Sequence, residues 1–406
     1  MRNLVHFVLL ALILAGFSPG LTQETDLARL LAAPLRIERT EAVTRVNLET
    51  RGGKLFIHAL ANGEAGEFIL DSGSPTILSR DFADALGLET VAQNTGRDAN
   101  GTEVTMDFAI LRTLQVGTAV FHDIPVLIHD FRTLDMGACV VGPGILGSEL
   151  FPGSAWRFDT RAAELSIATS LMELPELEAV ASTRLYDFGY PHAPIIDYSV
   201  GDVSDKALFD TGSSAEVALF SQVAQAPSVR QAVRAGSRVT GTGYEGESAG
   251  GRGEVTTLTR FTLSDFSLDG TDLDPVRAMV RAVPPTLVGA GMLGSHAVTL
   301  DYPGGQFIIQ AHSDPAQTPA EPGYSLALVG NDIRVVQLFD DTAAARAGLR
   351  LGDQVTAISG RSLIVSADNP KCAVANWLFA SFDPAEAAEL VILRDGVSSR
   401  LSIPQH

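Results

Sequence analysis

Two short stretches of this chain make the same chemical proposition. Phe68-Ile69-Leu70-Asp71-Ser72-Gly73-Ser74 and Ala207-Leu208-Phe209-Asp210-Thr211-Gly212-Ser213-Ser214 each end an apolar, strand-like run in a carboxylate, a small hydroxyl residue and a glycine. A charge at the end of a buried strand is costly unless something uses it. If the two segments fold alike about a pseudo-twofold axis, Asp71 and Asp210 meet, and adjoining carboxyls cannot both ionise cheaply. One then stays protonated while the other draws a proton from water, and the protonated one donates to a carbonyl without a covalent intermediate. Gly73 and Gly212 would allow the sharp turn that brings the carboxylates together. Ser72 and Thr211 would offer hydroxyls to the opposite segment's backbone.

The elements that must position these residues are themselves repeated. Gly142-Pro143-Gly144-Ile145-Leu146-Gly147-Ser148 follows Asp71, and Gly289-Ala290-Gly291-Met292-Leu293-Gly294-Ser295 follows Asp210, with three glycines and the serine in one register. Apolar strands then close on Asp159 and on Asp301, with Leu165 and Ile167 matched by Phe307 and Ile309. The repeat predicts two homologous lobes, 45–170 and 183–312. Their texture is β, as in Lys54 to Ala59, Thr105 to Ile110, Val116 to Ile128 and Thr256 to Leu268, with a short helix predicted over Arg80 to Gly87. Residues 313–322 hold three prolines and no apolar pattern, predicting a stiff linker to a separate module, 323–406.

Composition narrows the class. A chain of 406 residues fits two or three domains, and 46% hydrophobic residues with 38 glycines describe a folded, turn-rich protein. A net charge of −19 repels phosphate backbones, which argues against nucleic acid as a partner. Met1-Arg2-Asn3 followed by the uncharged run Leu4 to Phe17 reads as a secretory signal over residues 1–22, and hence as export to the periplasm or beyond. If that signal is not cleaved, it becomes an N-terminal membrane anchor; residues 21–44 are then a linker, or else a removable pro-segment. Cys139 and Cys372 fall in different predicted modules and read as two buried free thiols. Eight histidines without a His-x-x-x-His pair predict no metal site, and no cofactor is implied.

At Asp71-Ser72-Gly73-Ser74 and Asp210-Thr211-Gly212-Ser213 the chain resembles the pepsin and retropepsin superfamily of aspartic proteases. In that superfamily an apolar-apolar-Gly strand crosses behind the catalytic aspartate, an element to which Ile145-Leu146-Gly147 and Met292-Leu293-Gly294 are similar. The resemblance implies a mostly-β fold of two fused retropepsin-like barrels and an endopeptidase with Asp71 and Asp210 catalytic, acting on polypeptide. A mobile hairpin over the cleft is expected at Gly96 to Gly101 or at Gly241 to Gly246 and Gly250 to Gly253, with Tyr244 as a substrate contact.

The last module, with Asp341 to Gly360 as its core phrase and an Asp395-Gly396 hairpin turn, resembles a bacterial PDZ domain. Such a domain adds an extended peptide as a strand and holds its carboxylate in a loop, here Tyr324-Ser325-Leu326, with serine where the family has glycine. Docking of this module against the lobes is the other role considered for it. Two further readings stand beside the single-chain protease. In a homodimer Asp71 would pair with its own copy. In a catalytically silent peptide-binding scaffold, the lobes would support the PDZ-like module.

Overall fold

The computed structural model describes residue 31 and residues 35–175, 181–273, 275–313 and 323–405. The expected signal at 1–22, and the linker at 313–322 apart from Ser313, lie outside the described residues. So does most of the stretch before residue 35. Among the described residues, no helix is long and apolar enough to cross a membrane. The fold is mostly β.

Strand pairing explains where each aspartate sits. In the first half, Glu64–Leu70 runs parallel to Gly144–Leu146, which lies antiparallel to Ile77–Ser79. Ile77–Ser79 in turn runs parallel to the end of Ala119–His129. In the second half, Val203–Asp210 runs parallel to Thr286–Gly289, antiparallel to Val217–Phe220, which is itself parallel to Val276–Arg281. The buried apolar ends of the first strands, Phe68-Ile69-Leu70 and Ala207-Leu208-Phe209, hold each strand down to the residue before the carboxylate.

This register corrects the predicted repeat. Leu70 faces Leu146, and its counterpart Phe209 faces Val288, with Asp210 opposite Gly289. The strand behind Asp210 is therefore Leu287-Val288-Gly289, while Met292-Leu293-Gly294 belongs to the 3-10 turn Ala290–Gly294. The physical reason is crowding. A Cβ on Gly147 would lie 2.2 Å from the Pro75 carbonyl carbon and one on Gly289 would lie 2.4 Å from Ala215 O, whereas nothing approaches Gly294 within 4 Å. The two glycine strings are alike in sequence, and only backbone contact distinguishes the glycine that must be one.

Beneath the aspartates the two halves share a sheet. Ala155–Asp159 pairs antiparallel with His296–Asp301, and each is backed by a hairpin partner, Glu164–Ala168 and Gln306–Ala311. Val43–Asn47 and Ala181–Tyr186 extend it on either side. Trp156, Phe158, Phe209 and Phe307, all fully buried, belong to one core that runs through both halves. Burying such rings contributes about 1.5–3 kcal/mol each, so the halves are held by a common interior and not by surface contact alone.

The C-terminal unit has its own core around Leu328, Val335, Val355, Leu390 and Ile392. Thr342 caps helix Ala343–Arg346, Gly348 follows it at φ +90°, and Asp395-Gly396 turns the hairpin Ala388–Arg394 to Val397–Ile403 with both φ positive. The reading of the cysteines as free thiols is overturned. Cys139, in helix Gly137–Val140, forms a disulfide with Cys372, in helix Lys371–Ser381. Docking of the two helices brings their Cα atoms to 5.0 Å, a juxtaposition that positions 233 residues apart in sequence do not reveal.

Candidate active site

Asp71 and Asp210 come together where the two parallel strands end. A Cβ on Gly73 would lie 2.4 Å from Asp210 Oδ1, and one on Gly212 would lie 2.3 Å from Asp71 Oδ2. The sequence suggested glycine for a sharp turn, yet neither residue has positive φ. What requires glycine is the facing carboxylate, which leaves no room for a side chain.

The hydroxyls tie the loops reciprocally. Ser72 N–H donates to Thr211 Oγ1 (2.9 Å) and Thr211 N–H to Ser72 Oγ (3.0 Å). Ser72 Oγ donates onward to Phe209 O (2.7 Å), and Thr211 Oγ1 to Leu70 O (2.8 Å). Each aspartate also accepts from its own loop, Asp71 Oδ1 from Gly73 N–H (2.9 Å) and Asp210 Oδ1 from Gly212 N–H (2.8 Å). Ser72 and Thr211 have no exposed surface, so losing either would strand buried partners.

The electrostatics follow from that enclosure. Burial raises the Asp210 carboxyl well above the usual carboxylate range, and the neighbouring Asp71 charge and the hydrogen bond between the two raise it further. Lys54 opposes the shift. Its ammonium donates to Gly212 O, reaching across from the first half's Gly52-Gly53 turn. Two carboxyls this close can hold one proton between them, the state that would be required to activate water and protonate a carbonyl together.

Three side chains that the sequence did not single out complete the site. Lys54 is one; its only signal was a lysine directly after two turn glycines. Glu149 is the second, 2% exposed, accepting from Thr76 N–H (3.0 Å) and from the Thr76 hydroxyl, whose oxygen accepts Gly147 N–H (2.9 Å). It thereby fixes the first loop to its crossing strand, and burial pushes its carboxyl up to about 7. Its signal was a lone acid in an apolar stretch, the only one between Asp135 and Asp159. Arg281 is the third, 7% exposed, donating to Pro285 O (2.8 Å) and Ala99 O (3.2 Å). Burial lowers its pKa, and the charges of Asp210 and Glu245 resist that.

Both predicted hairpin regions are hairpins, and their tips touch. The first is Ala92–Arg97 with Glu103–Val116; the second is Val239–Gly243 with Thr256–Leu263, carrying the small ladder Glu247–Ser248 with Gly251–Arg252. Gly250 N–H donates to Asp98 Oδ2 (2.8 Å), Ala99 N–H to Ser248 Oγ (3.2 Å) and Asn100 Nδ2 to Gly251 O (3.2 Å). Since Arg281 bonds Ala99 O within reach of the Asp210 charge, this bridge lies one guanidinium away from the acids.

The remaining expected site residues lie elsewhere. Tyr244 N–H donates to Val336 O (3.1 Å) of the C-terminal unit, and the Arg252 guanidinium lies 5.3 Å from its ring centre. Tyr324 is 1% exposed within the C-terminal core, Ser325 Oγ donates to Gln337 Oε1 (2.9 Å), and Leu326 packs on the same core. None of these four approaches Asp71 or Asp210 through a hydrogen bond among the described residues.

Residues 57–150, which contain Asp71, Gly147 and Glu149, match the model of a family described as aspartyl protease. The chain is also 32% identical over 69 residues to a probable periplasmic serine endoprotease, DegP-like, of Ectopseudomonas mendocina (strain ymp). That similarity covers 17% of this chain and 13% of the relative.

Proposed function

We propose that this protein is an exported aspartic endopeptidase whose catalytic pair, Asp71 and Asp210, is assembled within one chain from duplicated lobes at 45–170 and 183–312. The observation that carries the reading is the facing of the two carboxylates across Gly73 and Gly212, locked by the reciprocal bonds of Ser72 and Thr211. The charged acid takes a proton from water as the water's oxygen attacks the scissile carbonyl. The protonated acid donates to the carbonyl oxygen, and collapse of the resulting diol passes a proton to the departing amine. Lys54 favours the ionised form of the pair, and the bridged hairpins exclude bulk water from it. The family match over 57–150 supports this assignment.

The relative named as a serine endoprotease raises serine chemistry as a rival. Ser295 Oγ lies 2.8 Å from His296 Nδ1, but the two are sequence neighbours and His296 makes no hydrogen bond to a carboxylate among the described residues. Burial, with His312 adding to it, lowers the His296 pKa, and the group that opposes this by hydrogen bonding is the Met292 backbone, not the carboxylate that a serine triad uses to orient its histidine. Export is supported by the apolar segment after Arg2, by the Cys139–Cys372 disulfide, which persists in oxidising compartments, and by the periplasmic naming of the relative. The unit 323–406 is read as PDZ-like, with the edge strand Tyr324–Val329 as its peptide-recognition element.

The test is hydrolysis of fluorescein-labelled casein from acid to neutral pH, with and without a statine-type transition-state mimic. Cleavage blocked by the mimic is expected, and Asp71→Asn and Asp210→Asn should each lower the rate by at least about 10³-fold. Undiminished cleavage in either variant would point to pairing in trans or to another mechanism. Absence of both cleavage and mimic binding would leave the scaffold reading.

A further inference from the structure

The second hairpin does not end in solvent. Its strand Val239–Gly243 is flanked on one side by Thr256–Leu263 and on the other by Asp332–Phe339 of the C-terminal unit, so one ladder continues from the half that carries Asp210 into the terminal unit. Glycine permits this approach. A Cβ on Gly241 would lie 2.4 Å from Leu338 O, and one on Gly243 2.3 Å from Val336 O. Gln337 Nε2 adds a bond to Tyr244 O (2.6 Å).

The tip of the same hairpin is held from two further directions. Glu247 accepts the N–H groups of Asp135, Met136 and Gly137 at 2.9–3.0 Å. Arg252 donates both to Asp135 Oδ2 (2.7 Å) and to Leu328 O (3.0 Å), while Asp135 Oδ1 accepts Gly330 N–H (2.9 Å). Met136 packs on the terminal core, and the Cys139–Cys372 disulfide pins the same corner. Leu328 O lies on the side of Tyr324–Val329 that does not face Asp332–Phe339, and Gly330 N–H follows it in the turn at the end of that edge. Those are the groups that an extended peptide adding to this edge would need.

We propose that the C-terminal unit is a clamp that keeps the second hairpin closed over the acids, and that its grip competes with addition of an extended peptide at the Tyr324–Val329 edge. The inference rests on the protease reading and assigns the regulation of that site. Two states follow from one set of contacts: with the edge occupied by Arg252 and Asp135, the hairpin tips stay bridged and polypeptide is excluded; with those contacts surrendered, the hairpin is free to lift.

The experiment uses the full, oxidised chain and the double variant Gly241→Ala/Gly243→Ala, which wedges the terminal strand away while leaving the dyad loops untouched. Arg252→Ala, which removes tip contacts without moving the backbone, is its control against misfolding. Amide hydrogen exchange over 239–252 should accelerate at least about tenfold in the double variant, with exchange in Glu64–Leu70 and Val203–Asp210 unchanged, and casein cleavage should rise at least about threefold. Arg252→Ala should shift both readouts the same way by less. If hairpin exchange does not change, or if it accelerates while cleavage stays level or falls, the clamp is overturned. If no form cleaves casein or binds the statine-type mimic, the protease reading fails instead, whatever the exchange shows about docking.

Discussion

The two loops that present Asp71 and Asp210 are nearly twofold-equivalent at their centre and differ one layer out. At the centre, the exchanged Ser72 and Thr211 bonds match within 0.1 Å, at 2.9 and 3.0 Å for the amides and 2.7 and 2.8 Å for the hydroxyls. One layer out, the structural register sets Ala193 where Lys54 stands and Gly291 where Glu149 stands. The first loop is thus anchored by a buried carboxyl that no salt bridge to Lys or Arg pairs among the described residues, with His192 the cationic neighbour acting on it. In the second half, Glu216 receives Arg277 through Nε at 2.7 Å and through its backbone N–H at 2.7 Å. The hairpins differ too, since only the second is incorporated into the C-terminal unit. Like loops thus present a symmetric pair of acids in unequal surroundings.

The comparison can be broken at its centre. Ser72→Ala and Thr211→Ala each remove one donor and one acceptor from a fully buried lock, so each should cost about 2–4 kcal/mol in urea unfolding followed by tryptophan fluorescence. Near-equal losses would uphold the symmetry; a loss confined to one would show that a single half bears the lock.

A smaller effect distinguishes the anchors. Glu149 in the folded chain titrates near 7 against an ordinary value of 4.5, so its contribution to stability is complete below about pH 4.5 and is lost as pH rises through 7. Stability should therefore fall by on the order of 2–3 kcal/mol across that window. Glu149→Gln, which can keep a carbonyl toward Thr76 N–H, should flatten the dependence. Thermal melts at pH 5 and pH 7 check this, and a slope that persists in the variant would place its source elsewhere.

The smallest effect concerns Lys54. Its positive charge favours the ionised pair, so Lys54→Met should move the acidic limb of the kcat/KM profile to higher pH while the fold is kept. A limb that stays in place would mean that Lys54 acts only through its bond to Gly212 O.

How much of this was legible in the residues differs by element. The pairing of Asp71 with Asp210 was readable because duplicated motifs impose a pseudo-twofold relation, and the roles of Ser72 and Thr211 followed from donor chemistry. Helix Arg80–Ala85 and the Asp395-Gly396 hairpin were readable because capping and turn preferences are local. The crossing strand behind Asp210 was misplaced by one short segment, since hydrogen-bond register is decided between strands and not along them. The Cys139–Cys372 bond and the Gly241 contact with Leu338 were unreadable for the same kind of reason. Both depend on how the terminal unit docks.

The order of residues alone determined that two acids with matching neighbours exist on strand ends and that a separate module follows them, because those facts are written in local spacing and apolar pattern. Only the tertiary structure decided which glycine crosses behind Asp210, which buried Glu149 steadies the first loop, and that the second hairpin is gripped from outside. Each of these is set by close approach between segments far apart in the chain, where an ångström of backbone separation, and not residue type, selects the partner.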